Sequence, residues 1–148
     1  MRLNLGCGWD QLPGWVNLDA SDQLGPGVEV WDLDEHPWPF PDASAAEIRA
    51  VDVYEHVDNP VGFIVECHRV LEPGGVLRIQ TAYWQCMDGY TDPTHKRVST
   101  EDSFDFWVEG TPYYAAQNAQ MGGVSFDKVS VRPEADGQLH ATLRRPRA

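Results

Sequence analysis

Two short apolar runs open the chain, Arg2-Leu3-Asn4-Leu5 and Val16-Asn17-Leu18-Asp19, and only ten residues, 6–15, lie between them. Such runs read as strands of an α/β sheet, yet a parallel crossover ordinarily takes about a dozen residues or more. The first crossover helix must therefore be absent or a single turn, and residues 20–27 leave equally little room before the next run. The early sheet then has one face thinly covered by helix, left to the tryptophans at 9, 15, 31 and 38 or to a second copy of the chain in a homodimer.

The first run ends in Gly6-Cys7-Gly8 and the second in Asp19. Glycines at the carboxyl end of a first strand let a ligand approach the backbone, and an acid at the tip of the neighbouring strand can accept both hydroxyls of a ribose. Either feature alone also serves an ordinary turn; together they point to a nucleoside site. A dinucleotide fingerprint needs a third glycine entering a helix, whereas Trp9-Asp10 follows here, which disfavours a nicotinamide or flavin dinucleotide. A carboxylate at Asp10 beside this loop would repel phosphate and suit a ligand bearing an ammonium or sulfonium.

Residues 28–32 and 47–53 read as the third and fourth strands, the latter with Ile48, Val51 and Val53. Between them Pro37, Pro39 and Pro41 impose an extended loop expected over the strand tips, with Asp42 placed to cap one turn through residue 46. Asp58-Asn59-Pro60 starts the best helix, which runs through Val61, Ile64, Val65 and Leu71 at helical spacing until Pro73-Gly74-Gly75 ends it. Residues 76–81 alternate as a strand, so strand, helix and strand form one right-handed parallel unit. After a loop over 83–98, Ser99 to Asp102 resembles a capping box opening a helix that buries Phe104, Trp107 and Val108. Residues 124–131 and 139–143 flank Asp136-Gly137 as an antiparallel hairpin.

The length of 148 residues suits one domain spanning 1–148, and 42% apolar residues argue against disorder. A net charge of −12 disfavours nucleic acid and anionic membrane surfaces as partners, and Arg144, Arg145 and Arg147 read as a solvated tail. Three cysteines without ligand spacing indicate neither a disulfide frame nor a metal site, so a cytoplasmic setting is expected. No signal-peptide pattern and no run of about 18 apolar residues is present.

The segments 3–8, Asp19, Trp38-Pro39-Phe40-Pro41-Asp42, Tyr54-Glu55-His56-Val57 and Glu66-Cys67-His68-Arg69-Val70-Leu71-Glu72-Pro73-Gly74-Gly75 together resemble class I S-adenosylmethionine-dependent methyltransferases over residues 2–82. The resemblance implies a three-layer Rossmann-like α/β fold with a mostly parallel seven-stranded sheet and a C-terminal antiparallel hairpin, in which the short spacings leave the early crossover helices shortened or absent. It implies S-adenosyl-L-methionine as cofactor, held by the turn Leu5-Gly6-Cys7-Gly8, with Gly6 and Gly8 under the methionine part and Asp19 on the ribose. Asp32 and Leu33 would meet the adenine, Asp34 being an even alternative to Asp32, and Asp52 and Val53 would floor the site near the methyl group.

Glu55-His56 sits where the fourth strand hands over to the helix, a place for an acceptor-orienting side chain or simply for a helix-entry hydrogen bond. The polar stretch Asp88-Gly89-Tyr90-Thr91-Asp92-Pro93-Thr94-His95 follows the fifth strand, where such enzymes build the acceptor pocket. His95 is the preferred general base and His56 the second catalytic candidate, since an imidazole ordinarily titrates near neutrality. The expected reaction is methyl transfer to oxygen or nitrogen of a small-molecule acceptor. The alternative is a cofactor-binding module or partner subunit without catalysis.

Overall fold

The computed structural model describes residues 1–147. Its strands are β1 (Arg2–Leu5), β2 (Val16–Asp19), β3 (Val28–Val30), β4 (Ala45–Val51), β5 (Leu71–Thr81), β6 (Asp127–Pro133) and β7 (Leu139–Arg144). The helices are α1 (Pro60–Val70) and two short ones, α2 (Asp88–Thr91) and α3 (Pro112–Gln117), with 3-10 turns at Asp22–Leu24, Asp105–Trp107 and Asn118–Met121. The strands form one seven-stranded sheet in the order β3-β2-β1-β4-β5-β7-β6, parallel through β5 and antiparallel at β7 and β6. This is the expected Rossmann-like sheet with its closing hairpin.

Register explains how so few helices suffice. Pairing of Leu3 with Val16 and Ile48, Leu5 with Leu18 and Ala50, and Leu77 and Ile79 with Leu143 and Ala141 gathers the apolar side chains on one face. That face packs on Phe63, Ile64, Cys67 and Val70 of α1 and on Trp38, Phe40, Tyr54, Phe104, Trp107 and Phe126 in one cluster. The opposite face carries Arg2, Asn4, Asn17, Glu47, Arg49, Arg78, Gln80, His140 and Thr142. Parallel strands are usually apolar on both faces because crossover helices cover both. Here residues 6–15 and 31–44 contain no helix and residues 20–27 only a 3-10 turn, so the second face is polar instead.

The tryptophans do not seal that face. Trp38 is in the core, Trp9 is 80% exposed, and Trp15 stacks under the Arg2 guanidinium at 5.7 Å. Amides replace the missing helix: Asn4 Nδ2 donates to Asp10 O (2.8 Å) and Asn17 Oδ1 (2.9 Å), and Leu12 N–H donates to the same Asn17 oxygen (2.8 Å). Arg49 adds bonds to Asn4 Oδ1 (2.8 Å) and Asp10 Oδ2 (2.7 Å). Satisfied in this way, the ten-residue connection crosses the sheet end without helical hydrogen bonds.

Helix α1 begins as its sequence directs, with Pro60 in the first turn and the Asn59 side chain accepting from Gly62 N–H at 2.8 Å. It ends at Val70, and β5 starts at Leu71, earlier than expected, because Leu71 pairs with Ala45 before a bulge returns the ladder at Val76 opposite Glu47. Gly75 belongs to that bulge: a Cβ there would stand 2.9 Å from Glu72 O and 3.0 Å from Ala45 O. Strands β3 and β4 end two residues before the expected 32 and 53. Asp42 caps no helical turn; it pairs with Arg69 at 2.6 Å, and β4 already starts at Ala45. The capping box at Ser99 opens only turns and the 3-10 segment Asp105–Trp107, because Ser99 is tied to Ala82 O by its amide (2.8 Å) and accepts Trp84 N–H (3.1 Å). Phe104, Trp107 and Val108 are nonetheless buried.

The basic C-terminal residues are not simply a solvated tail. Arg145 Nη1 donates to the carbonyls of His68 (2.9 Å), Arg69 (3.3 Å) and Leu71, groups that the end of α1 leaves without helical partners. Arg145→Ala is expected to lower unfolding free energy by about 1–2 kcal/mol, the value of hydrogen bonds from a charged donor at a helix C-terminus. A urea midpoint equal to wild type would contradict this capping role.

Candidate functional site

In the order β3-β2-β1-β4-β5, the chain reverses its direction of winding between β1 and β4, and a crevice opens beyond their carboxyl ends. Gly6 follows β1 with φ of 57°. A Cβ there would sit 2.3 Å from Val53 Cγ2, so glycine lets the two strand ends close together. Asp19 ends β2, its Oδ2 accepting Gly8 N–H and its Oδ1 accepting Ser21 N–H, both at 2.9 Å. The carboxylate thus fixes the glycine turn, and each oxygen keeps a lone pair for a further donor.

A cleft of about 330 Å³ lies here, within the usual span of small-molecule sites of about 300–1,000 Å³. Gly6, Asp19, Asp32, Leu33, Asp52 and Val53 line it, together with Ala20, Trp31, Asp34, His56 and Val57. Leu5, Cys7 and Gly8 do not: Leu5 and Cys7 are buried behind the wall, and Gly8 contributes its amide to Asp19. Burial, followed by the charge of Asp19, pushes the Cys7 thiol up, against thiolate formation.

Asp32 and Asp34 both reach the cleft but have different bonds. Asp34 accepts Asp58 N–H at 2.9 Å and Asn59 N–H at 2.9 Å, fastening the approach to α1. Asp32 Oδ1 accepts only Asp34 N–H at 2.9 Å, which leaves its other oxygen for a ligand. Asp10, expected to charge this loop, faces Arg49 at 2.7 Å and is not part of the cleft wall. The negative character comes instead from Asp19, Asp32, Asp34 and Asp52, with no lysine or arginine among the lining residues.

A second cleft of about 370 Å³ adjoins the first through Asp52 and His56, which line both. Its other walls are Glu55, Asp88, Thr91, Asp92, His95 and Gln138. Asp52 has φ of 54°, unusual for a residue with a Cβ, and so turns the chain sharply at the shared wall. Glu55 is 1% exposed, with Oε2 accepting the Thr81 hydroxyl (3.0 Å) and Oε1 accepting Ala82 N–H (3.2 Å). The entry to α1 is tied by Asp34 and Asn59, so Glu55-His56 makes no helix-entry bond.

His56 and His95, far apart in sequence, pack edge to face with ring centroids 4.8 Å apart. His95 Nδ1 lies 3.0 Å from Gly89 O, and His56 Nδ1 lies 3.2 Å from Thr94 Oγ1. The Thr94 hydroxyl donates to Asp92 Oδ1 at 2.7 Å and the Thr94 amide donates to the same oxygen at 2.8 Å. These bonds, then the nearby His95 and His56 rings, hold the Asp92 carboxyl below the usual aspartate range. The cations of the segment are turned elsewhere: Lys96 pairs with Asp58, and Arg97 donates to Tyr54 O at 2.6 Å over the Tyr54 ring.

Comparison with known proteins places this geometry. The sequence pattern of the methyltransferase domain family matches residues 3–79, more than half of the chain. The chain belongs to the methyltransferase domain family. A probable S-adenosylmethionine-dependent methyltransferase of Mycolicibacterium smegmatis is 44% identical over 43 residues, covering 29% of this chain and only 17% of that protein's length. A Thermotoga maritima S-adenosylmethionine-dependent methyltransferase superposes with a TM-score of 0.71 at 15% identity, over 97% of this chain and 81% of that one. A Haloferax volcanii methyltransferase, solved with the Trm112 methyltransferase activator, gives 0.70 at 14% identity, over 98% and 82%. At these identities the structural likenesses establish the fold.

A methyltransferase domain of this family uses S-adenosylmethionine, and the first cleft suits it. Its four carboxylates can accept hydroxyl and ammonium donors and would attract a sulfonium, whereas a phosphorylated dinucleotide would meet repulsion. Among the described residues no helix is long and apolar enough to cross a membrane. Sequence adjacency alone would have added Ala20 and Val57 to the wall, but Trp31 and the pairing of His56 with His95 depend on how loops return to the sheet.

Proposed function

We propose that the protein transfers a methyl group from S-adenosylmethionine to an oxygen or nitrogen of a small acceptor seated in the second cleft. The observation that carries the reading is the shared wall: Asp52 and His56 border both clefts, so a donor in the first presents its reacting end to the second. When bound, the cofactor supplies a sulfonium methyl that is already activated.

The chain's own residues then act by placement. Asp19 accepts the two ribose hydroxyls through its outward lone pairs, Asp32 and Leu33 hold the adenine edge, and Gly6 and Val53 support the methionine part. Leu5, Cys7 and Gly8 act from behind the wall by shaping the turn. Alignment of donor and acceptor at near-attack distance can supply several kcal/mol, and proton removal about 100-fold or more. His95 is placed to receive the acceptor's proton at Nε2, since Nδ1 faces a carbonyl that can only accept. His56 stands beside it and, with Asp52, borders both clefts.

The test is calorimetry with S-adenosylhomocysteine joined to detection of its formation across hydroxyl and amine acceptors. Saturable binding with turnover of at least one acceptor class is expected, and absence of binding would overturn the reading. Binding without turnover on any acceptor would favour a cofactor-binding partner subunit. His95→Ala is expected to lower kcat about 100-fold while cofactor affinity stays within about threefold. Weakened cofactor binding with intact turnover would remove His95 from the acceptor side.

A further inference from the structure

The two imidazoles and the buried carboxylate that line the second cleft form a cluster that hydrogen bonding alone leaves incomplete. One ligand atom each from Glu55, His56 and His95 lies within 4.8 Å of the others. Both Nδ1 atoms face oxygen acceptors. Gly89 O can only accept, so His95 carries its proton on Nδ1 when neutral. The Thr94 hydroxyl has one proton and donates it to Asp92 at 2.7 Å, so toward His56 Nδ1 at 3.2 Å it accepts. Each neutral ring therefore leaves its Nε2 unprotonated, and among the described residues neither Nε2 has a hydrogen bond; the nearest carboxylate to His95 Nε2 is Asp92 at 3.6 Å. Glu55 is oriented in the same manner by Thr81 and Ala82, with a lone pair left on each oxygen.

Imidazoles fixed through Nδ1–H to an acceptor and a carboxylate fixed by its own donors are the outer-shell arrangement that orients metal ligands. We propose that His56, His95 and Glu55 bind a divalent first-row transition ion, such as Zn²⁺, Co²⁺ or Fe²⁺, in the second cleft, beside the wall that His56 shares with the first. Two nitrogens and one carboxylate suit these ions and leave coordination positions open. Bonds of about 2.0–2.2 Å set ligand atoms about 3–4 Å apart, so the side chains need to close by about 1 Å. Asp92 stands ready as a further oxygen. Resting on the proposed methyl transfer, an open position here would take a hydroxyl of the acceptor. Such coordination would lower that group's pKa; its proton would leave to solvent, and the oxygen lone pair would attack the methyl carbon while the sulfur keeps the electrons of the broken carbon–sulfur bond. In the ion-loaded protein the ion occupies the His95 lone pair, so His95 takes the acceptor's proton only in the ion-free protein.

The experiment titrates chelator-stripped protein with Zn²⁺ by calorimetry and with Co²⁺ by visible absorption. One ion per chain is expected, with cobalt bands of a nitrogen- and oxygen-ligated site. His56→Ala and His95→Ala should each weaken binding about 100-fold or more, and Glu55→Gln should act likewise if it folds. His140→Ala, which removes an exposed imidazole lying 2.7 Å from Asp136, should leave affinity unchanged. Zn²⁺ binding that survives in the His56→Ala/His95→Ala double variant, or that is lost in His140→Ala, would overturn the site, as would no binding at all. Ion binding is read without turnover, so a protein that binds one ion but not S-adenosylhomocysteine overturns methyl transfer and leaves the metal site standing.

Discussion

Asp19→Ala is expected to lower affinity for S-adenosylhomocysteine by about 100-fold or more. With Gly8 N–H and Ser21 N–H bound at 2.9 Å, the carboxylate keeps a lone pair on each oxygen. Two ribose hydroxyls donating to a charged acceptor contribute about 1.5–3 kcal/mol each, and every 1.4 kcal/mol is about tenfold in affinity. The same substitution unties Gly8 from β2, so a loss of binding alone would not separate contact from collapse of the turn. A 2′-deoxy analogue of the ligand separates them. Wild type should bind it much more weakly than the parent compound, whereas Asp19→Ala should bind both alike. If the variant still prefers the ribose form by the wild-type factor, some other group holds the sugar and the assignment of Asp19 fails.

How much of this site could be read from sequence depends on the distance over which each contact forms. Asp19 ends a short strand and Gly6 and Asp52 directly follow two others, where position in the run dictates position in the sheet, and all line the cleft. The α1 entry was equally legible because Asn59 and Pro60 act within one turn. By contrast, the meeting of His56 with His95 depends on residues 83–98 folding back, through Lys96 N–H to Glu55 O at 2.8 Å and Arg97 to Tyr54 O at 2.6 Å. No local pattern encodes that return. Asp10 was misplaced for a related reason: its partner Arg49 arrives from β4, on the polar face. Arg145 looked like part of a charged tail because the carbonyls it caps are more than 70 residues away in the chain.

The largest stability loss is expected at Glu66. This residue is 6% exposed, and its carboxylate accepts Trp38 N–H at 2.7 Å and Arg69 Nε and Nη2 at 2.8 and 2.7 Å. Arg69 in turn donates to Phe40 O (2.8 Å) and Trp38 O (3.2 Å), so the pair fastens the proline-rich loop to α1. Removing one partner of such a pair costs about 3–5 kcal/mol because the other is left uncompensated. Glu66→Ala should fall near 3 kcal/mol, since Arg69 keeps Asp42 and some access to water. Burial by itself raises the Glu66 carboxyl, but the bonds from Arg69 and Trp38, with the Arg69 charge, outweigh it and hold the group below the ordinary glutamate value. A folded-state pKa lowered in this way contributes stability in full above the unfolded value of about 4.3, and the contribution is lost as pH falls through the folded value. Wild type should therefore lose stability more steeply than Glu66→Gln below about pH 4.5, as denaturant midpoints measured from pH 7 to pH 3 would record. Parallel curves for the two proteins would mean that the carboxylate is not the group holding the loop. The loop also carries Leu33 and Asp34 into the cofactor cleft, so Glu66→Ala, compared at a temperature where it remains folded, should weaken S-adenosylhomocysteine without any contact to it.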